Sequence, residues 1–356
     1  MGAPPRGVAG FGGLQTQMLR APPPPSPTPS PAVAQHGCAA VHLRHIEKTG
    51  GSSMHAFLHR LGFEHQPVPI RTARRYDLLI KNRSYFSEQQ AGRRIFMHYH
   101  SPQEWHGPYF LRSFQPRLQA LRQVYAERNC TFLVMTIMRD PVAHLVSHYF
   151  HFEPVRRAEA NRLQLTTNAV NASRNANDDR RSLVQDARRH AEMQLYHLAC
   201  ARDCITQQFL TSNNGTPTRR KPLARAVSDV LPSFDLIGVT EELAALQVAL
   251  CRRLAFEGPC PKSVAINQAP PRKALSNGLE NSSLSVSDAK AQTAPGRPLH
   301  SQLLATSPLT ACVHRVMLNA WRAELGARQD GVGIAIPANE LSTCVTNFHA
   351  ALPDVT

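Results

Sequence analysis

The chain has no run of 18 consecutive apolar residues, so the sequence offers no segment able to span a bilayer as one helix. It has no Gly-Lys dipeptide, which excludes a Walker A nucleotide loop, because that loop requires Gly-Lys-Ser/Thr. No Cys-x-x-Cys pair occurs, which argues against zinc ribbons and thioredoxin-like redox sites. Aromatic residues are scarce at 6%. Lysine is scarcer still, confined to positions 48, 81, 221, 262, 273 and 290. No internal repeat is visible. The first twenty residues, MGAPPRGVAGFGGLQTQMLR, contain no apolar stretch of the kind a secretory signal carries.

What is present is a chain of 356 residues, 42% apolar and 18% charged, long enough for a sizeable core in one or two domains. Collagen, coiled coil and dense disulfide scaffolds are excluded by composition. Basic residues number 40 against 25 acidic ones, a net charge of +15 and a pI of about 10.0. Most of the basic residues are arginine. Either a coding bias or an anionic partner explains that balance: a nucleotide, an acidic glycan or nucleic acid. A nucleic-acid surface would show a concentrated basic stripe with stacking aromatics, and none is visible, so no nucleic-acid partner is expected. Five glycosylation sequons, at Asn82, Asn129, Asn171, Asn214 and Asn281, exceed the roughly two expected by chance. With an even count of eight cysteines they lean toward a secretory compartment.

Residues 1–36 are low in complexity, and APPPPSPTPSPA (21–32) is polyproline-like and unable to build a core. Structure is expected from Val41. VHLRHI alternates as a strand does and runs into EKTGGSS, then into the helical pattern MHAFLHRLGF. RIFMHYH (94–100) reads as a second strand. CTFLVMTIM (130–138) is a continuous β-rich apolar run, the pattern of a strand buried on both faces. RDPVAHLVSHYFHF then opens a helix with Pro141 in its first turn, and FDLIGV (234–239) is a further strand before a Thr-Glu-Glu helix start. NAVNASRNANDDRRS (168–182) and TSNNGTPTRRKP (211–222) read as loops, VQDARRHAEMQLYHLA (184–199) as one amphipathic helix and 261–300 as irregular. SPLTACVHRVMLNAWRAEL (307–325) reads as a helix. The expected organisation is a Pro-rich segment over 1–36, one domain over 37–326 and a tail of weak signal over 327–356. Alternating strands and helices give an α/β domain with a mainly parallel sheet.

The strongest local signal is His45-Ile46-Glu47-Lys48-Thr49-Gly50-Gly51-Ser52-Ser53, placed between a strand and a helix. Two glycines permit close approach of backbone to an anion, Ser52 and Ser53 add hydroxyls, and the helix start adds N–H groups and dipole. Lys48 precedes the glycines and would meet the anion from the strand side. The second signal is Met138-Arg139-Asp140-Pro141-Val142, with Ser147 two helical turns beyond Arg139. Arg139 offers planar, bidentate recognition of a phosphate, and Asp140 suits a helix cap. The third is His98-Tyr99-His100 at a strand end, where a histidine is suited to take a hydroxyl proton near neutral pH.

Together these segments resemble the Golgi-type carbohydrate sulfotransferase family. Lys-Thr-Gly-Gly-Ser-Ser after a strand is similar to its 5′-phosphosulfate loop, and Arg-Asp-Pro-Val with Ser147 to its 3′-phosphate element. His98-Tyr99-His100 is similar to the His-x-His of heparan sulfate and uronyl 2-O-sulfotransferases. Trp105 lies near a region like that of the 6-O-sulfotransferases, with different spacing. Phe234–Glu241 resembles a late family segment, and Arg272-Lys273 is a further candidate phosphate contact.

The resemblance implies a P-loop-like three-layer fold. It also implies transfer of a sulfuryl group from 3′-phosphoadenosine 5′-phosphosulfate to a hydroxyl of an acceptor, a glycan of the polyanionic kind or another hydroxylated molecule. Lys48, Thr49, Gly50, Gly51, Ser52, Ser53, Arg139 and Ser147 would bind the nucleotide. His100 would be the base, His98 its orienter, and Lys48 would stabilise developing charge. No metal is expected. The implied location is the Golgi lumen or membrane, with membrane attachment only through an anchor upstream of this Pro-rich start. Cys251 with Cys260 and Cys312 with Cys344 are candidate disulfides in such a lumen, with buried free thiols as the alternative and connectivity not legible. Cys130 is expected simply to pack, and Asn129, hard against that strand, to stay unglycosylated. Two rivals stand beside this reading. One is a P-loop kinase or NTPase with Asp140 as a magnesium ligand. The other is a non-catalytic glycan- or anion-binding protein on the same fold.

Overall fold

The computed structural model describes residues 38–67, 93–100, 115–164, 176–199, 223, 227–256, 258–262, 286–327 and 337–350. At Gln66, Pro67, Tyr99, His100, 153–164, 176–179, Ala199, Val286, 324–327 and 348–350 the description covers backbone only. The chain divides into two units, Met1–Val33 and Ala34–Thr356, and every described residue belongs to the second. The expected loop at 211–222, Trp105, Arg272, Lys273 and the sequons at Asn82, Asn171, Asn214 and Asn281 lie outside the described residues.

Five strands form one sheet: β1 (Ala39–His45), β2 (Glu64–Pro67), β3 (Arg94–His100), β4 (Thr131–Met138) and β5 (Leu236–Val239). Their order is β2-β3-β1-β4-β5, and every pairing is parallel. β1 lies at the centre, with Leu43 opposite His98 on one side and Met135 on the other. A parallel pair needs a long crossover, and the described crossovers from β1 to β2, β3 to β4 and β4 to β5 carry helices. The continuous apolar run of β4 is accordingly buried from Phe132 to Met138.

β1 departs from its alternating pattern, because all seven of its residues are buried, His42 and Arg44 included. Arg44 donates to the carbonyl of His197, and the Thr136 hydroxyl donates to the carbonyl of Arg44 (2.9 Å). Burial, with Arg44 adding to it, pulls the His42 imidazole down to about 3, so it stays neutral.

Helices pack around these strands. α1 (Gly51–Arg60) follows β1, α2 (Gln115–Ala126) precedes β4, and α3 (Pro141–Gln164) follows it. α4 (Ala176–Arg189), α5 (Met193–Ala199), α6 (Leu243–Arg253), α7 (Val286–Gln292), α8 (Pro298–Leu304), α9 (Pro308–Ala327) and α10 (Ala338–Ala350) follow in chain order. The single helix expected over 184–199 is two. The chain breaks at His190–Glu192, where Glu192 has φ 56°. The Glu192 carboxylate sits at the start of α9, accepting from the N–H groups of Leu309 (2.8 Å) and Thr310 (2.7 Å) and from the Thr310 hydroxyl. Those bonds satisfy N–H groups that a helix start leaves open, and they hold an otherwise unfavourable backbone. α4 begins at Ala176, inside the expected loop 168–182, and α7 and the start of α8 fall within the stretch read as irregular. α10 lies where local signals were weak, packed on α9 with Leu341 and Cys344 in the core.

One large apolar core covers the sheet, with Phe57, Phe96, Leu133, Ile137 and Trp321 among its members. A smaller one joins α3, α4, α7 and α8 through Leu145, Tyr149, Leu183, Ala289 and Leu303. Trp321 Nε1 donates to the carbonyl of Ile237 (2.9 Å), and Asp235 Oδ2 accepts from Val134 N–H (2.7 Å) and from Arg122 Nη2 (2.6 Å), pinning β5 to β4. No described helix is long and apolar enough to cross a membrane.

All six described cysteines are paired: Cys38–Cys130, Cys251–Cys260 and Cys312–Cys344. The last two are the candidate pairs. Cys130, expected only to pack, is bonded instead to Cys38, 92 residues away, because parallel β1 and β4 start side by side. A cross-link of that span removes much freedom from the unfolded chain, worth about 2–4 kcal/mol. Replacing both residues (Cys38→Ser with Cys130→Ser) is therefore expected to lower the melting temperature by about 4–8 °C, taking roughly 2 °C per kcal/mol for a domain this size, in a thermal-denaturation scan. An unchanged melting temperature would contradict this role.

Candidate anion-binding site at the β1–α1 loop

The loop Ile46–Gly50 leaves the C-terminal end of β1, and α1 starts at Gly51. In open parallel α/β sheets this is the end where ligands bind. Two residues take left-handed backbone conformations, Lys48 (φ 62°) and Gly50 (φ 91°). Glycine adopts that region freely, whereas lysine there costs energy and must be held.

The holding is done through the loop carbonyls, which are engaged one after another. Ile46 O accepts from the Thr49 hydroxyl (2.7 Å), and Glu47 O from His144 Nε2 (2.9 Å). Lys48 O accepts from Arg139 Nη1 (3.0 Å), and Thr49 O from the Thr240 hydroxyl (2.9 Å), which lies equally near Met138 O (3.0 Å). Gly50 O takes Met54 N–H (3.1 Å), the first bond of α1. Apart from Thr49 and Met54, which are local, the donors come from α3, the β4–α3 turn and the start of the 3-10 turn Thr240–Glu242. His144 is buried, which pulls its imidazole down to about 3, so a neutral ring with its proton on Nε2 makes the bond.

The N-terminus of α1 is left electropositive. Gly50 caps it without a side-chain bond, and no acidic residue lies in the first turn. The loop's own acid, Glu47, is buried, and burial pushes its carboxyl up to about 7 against the pull of Lys48. A cation, a dipole and inward-turned carbonyls leave a surface suited to a phosphate or sulfate. Ser52 is exposed and Ser53 buried.

Gly51 is required by a close approach. A Cβ there would fall 2.0 Å from His45 Nε2, because the His45 imidazole lies across it. The same ring sets Nδ1 2.7 Å from His98 Nε2. His98 is thus joined to the loop through His45, and stands beside a row of rings comprising Phe96 (5.8 Å), His65 (6.0 Å) and His55 (6.3 Å). Burial and then neighbouring histidines lower the pKa of His55 and His65, which favours neutral imidazoles there. The backbone of His100 pairs with that of His45 at the end of β3, and its side chain lies outside the described residues.

Arg139 meets Lys48 across a sequence separation of 91. Its main chain is clamped from both ends by Gln194, whose Oε1 accepts from Arg139 N–H (2.9 Å) and whose Nε2 donates to Arg139 O (2.8 Å). Burial lowers the Arg139 pKa, while Glu241 and Asp140 support its charge. Asp140 is the expected helix cap, with Oδ1 accepting from Ala143 N–H (2.8 Å). Its own N–H goes to Glu241 (3.0 Å). Burial works against the Glu241 charge, but the hydrogen bonds from His314 and Asp140 hold its carboxyl below the usual range. Ser147 lies half-buried on α3, two turns from its start.

The structure therefore joins Lys48, Thr49, Gly50, Gly51, His98 and Arg139 in one bonded group. Gln194, His144, His45 and Thr240 are the members sequence reasoning did not assign. Thr240 sat in a segment noted for its strand alone, and Gln194 in a helix with no local mark. No family model matches the chain, and no curated protein matches it.

Gly51→Ala is expected to drive the His45 ring aside and break its bond to His98, at about 1–3 kcal/mol of stability. Adding His45→Ala should recover most of the stability lost, as read by chemical denaturation. Additive losses in the double variant would contradict the close approach.

Proposed function

We propose that the chain is a sulfotransferase on a P-loop-like fold, moving a sulfuryl group from 3′-phosphoadenosine 5′-phosphosulfate to a hydroxyl of a glycan. The observation that carries this reading is the bond from Arg139 to the Lys48 carbonyl, which joins the two segments that resemble the family's nucleotide elements. The fit of the donor rests on the loop. The carbonyls are engaged by protein donors, and the α1 start carries no side-chain cap and no acidic residue in its first turn.

In this reading the α1 start and Lys48 hold the 5′ end of the nucleotide, and Arg139 with Ser147 the 3′-phosphate. A β3 histidine takes the acceptor's proton as its oxygen bonds to sulfur and the sulfur–oxygen bond to the nucleotide phosphate breaks. His100 is the base, and His98, fixed by His45, orients it. Lys48 offsets charge on the departing phosphate. Positioning and electrostatics carry most of such a transfer, as in phosphoryl transfer.

The kinase reading would need Asp140 for magnesium, but its carboxylate caps α3 and its N–H is bound to Glu241. Three disulfides favour an oxidising compartment, in keeping with the Golgi lumen as the proposed location.

The test is transfer of radiolabelled sulfate from the nucleotide donor to a panel of desulfated glycans without added magnesium. Wild type should label at least one glycan. Lys48→Ala and His100→Ala should each lose about 100-fold or more in rate, and His98→Ala somewhat less. Transfer that survives Lys48→Ala undiminished, or no transfer to any hydroxylated acceptor, would overturn the assignment.

A further inference from the structure

Away from the loop, three side chains that the nucleotide reading leaves unused meet inside the smaller core. They are His148 on α3, Asp186 on α4 and His190 just past the end of α4, and each is only 5–6% exposed. Asp186 and His190 are four residues apart and so share one helix face. His190 Nδ1 is 3.3 Å from Asp186 Oδ1 and 2.8 Å from that residue's carbonyl oxygen. His148 Nδ1 is 3.9 Å from Asp186 Oδ2, and the two imidazole rings are 4.6 Å apart. One ligand atom from each residue lies within 4.8 Å of the others.

We propose that His148, Asp186 and His190 bind one divalent transition-metal ion of the zinc class. The site is structural and separate from the proposed sulfuryl transfer. Two imidazoles and one carboxylate are a donor set that such ions take, leaving a fourth position for water or a neighbouring group. Tetrahedral bonds of about 2.0–2.1 Å separate ligand atoms by roughly 3.3–3.4 Å. His190 Nδ1 would give up the proton it now donates to the Asp186 carbonyl, as metal binding requires, and its 3.3 Å from Oδ1 then has that value, while the 3.9 Å from His148 Nδ1 to Oδ2 needs to close by about 0.5 Å. A carboxylate this buried is costly as a charge, and a metal cation neutralises it while the rings stay uncharged.

The placement gives the ion a task. It would tie α3, which carries Ser147, to the turn whose next residues are Glu192 and Gln194. Glu192 holds the start of α9, and Gln194 clamps Arg139. The ion would thus steady the Arg139 arm from behind.

The experiment uses the full chain, purified without a histidine tag from cells grown with zinc, and measures bound metal by mass spectrometry. Close to one zinc per chain is expected in wild type. His148→Ala and Asp186→Asn should hold less than a tenth of that. A double variant in the row of rings beside His98, His55→Ala with His65→Ala, should keep it. A folded check by circular dichroism accompanies each variant. Should the variants fail to fold, the decision passes to wild type, where stripping the metal with a chelator should lower the melting temperature by about 3 °C or more and added zinc restore it. Cobalt in place of zinc should give visible absorption bands of a low-coordinate site. Metal-free wild type that does not respond to zinc, or zinc retained in folded His148→Ala and Asp186→Asn, would overturn the proposal.

Discussion

The β1–α1 loop keeps its shape because its carbonyls are all occupied. Ile46, Glu47, Lys48 and Thr49 each accept a side-chain donor, from Thr49, His144, Arg139 and Thr240 in turn. A typical bond of this kind contributes about 1 kcal/mol net, but an unmet buried carbonyl costs more, so the set acts as one device. It holds Lys48 in a left-handed conformation that lysine does not choose, and it turns the polar-acceptor side of the loop away from any ligand. Each remaining feature supports a donor. Gln194 and the Asp140–Glu241 pair fix the main chain around Arg139, burial keeps His144 neutral, and β5 places Thr240.

The central position of β1 follows from the same requirement. Its paired neighbours on both sides bring β3 and β4 to the end where the loop leaves, so that a histidine of β3 and an arginine after β4 meet at one place. His45 connects the two halves, covering Gly51 on one side and bonding His98 on the other. A glycine at 51 and an imidazole at 45 are thus one feature written at two positions.

Much of this frame was legible in the sequence. RIFMHYH is β3, and the apolar run read at 130–138 is β4 from Thr131 on, because a strand buried on both faces leaves a β-rich apolar block. Pro141 after Asp140 marked the start of α3, where a cap and a fixed φ reinforce each other. The rest depended on contacts distant in sequence. β1 alternates like a half-exposed strand, yet His42 and Arg44 are buried, because helices cover that face and a main-chain carbonyl receives the arginine. The amphipathic stretch 184–199 shows no glycine or proline where it breaks. The break is held by Glu192 reaching a helix start more than a hundred residues later. Cys130 pairs with Cys38 only because β1 and β4 are neighbours. Within the site, the sequence singled out Lys48, the glycines and Arg139 by residue type, and the fold brings them together. Gln194 and Thr240 were not, since many residues could act as a clamp and only the fold selects these two.

The claim on which the account rests is that the loop and Arg139 together form a nucleotide site. Calorimetric titration of the purified chain with 3′-phosphoadenosine 5′-phosphate addresses it without any acceptor. The account predicts saturable one-to-one binding that weakens with rising salt, and that Arg139→Ala, still folded, reduces at least tenfold. Absence of binding to the folded wild-type chain, or binding unchanged in Arg139→Ala, would contradict it.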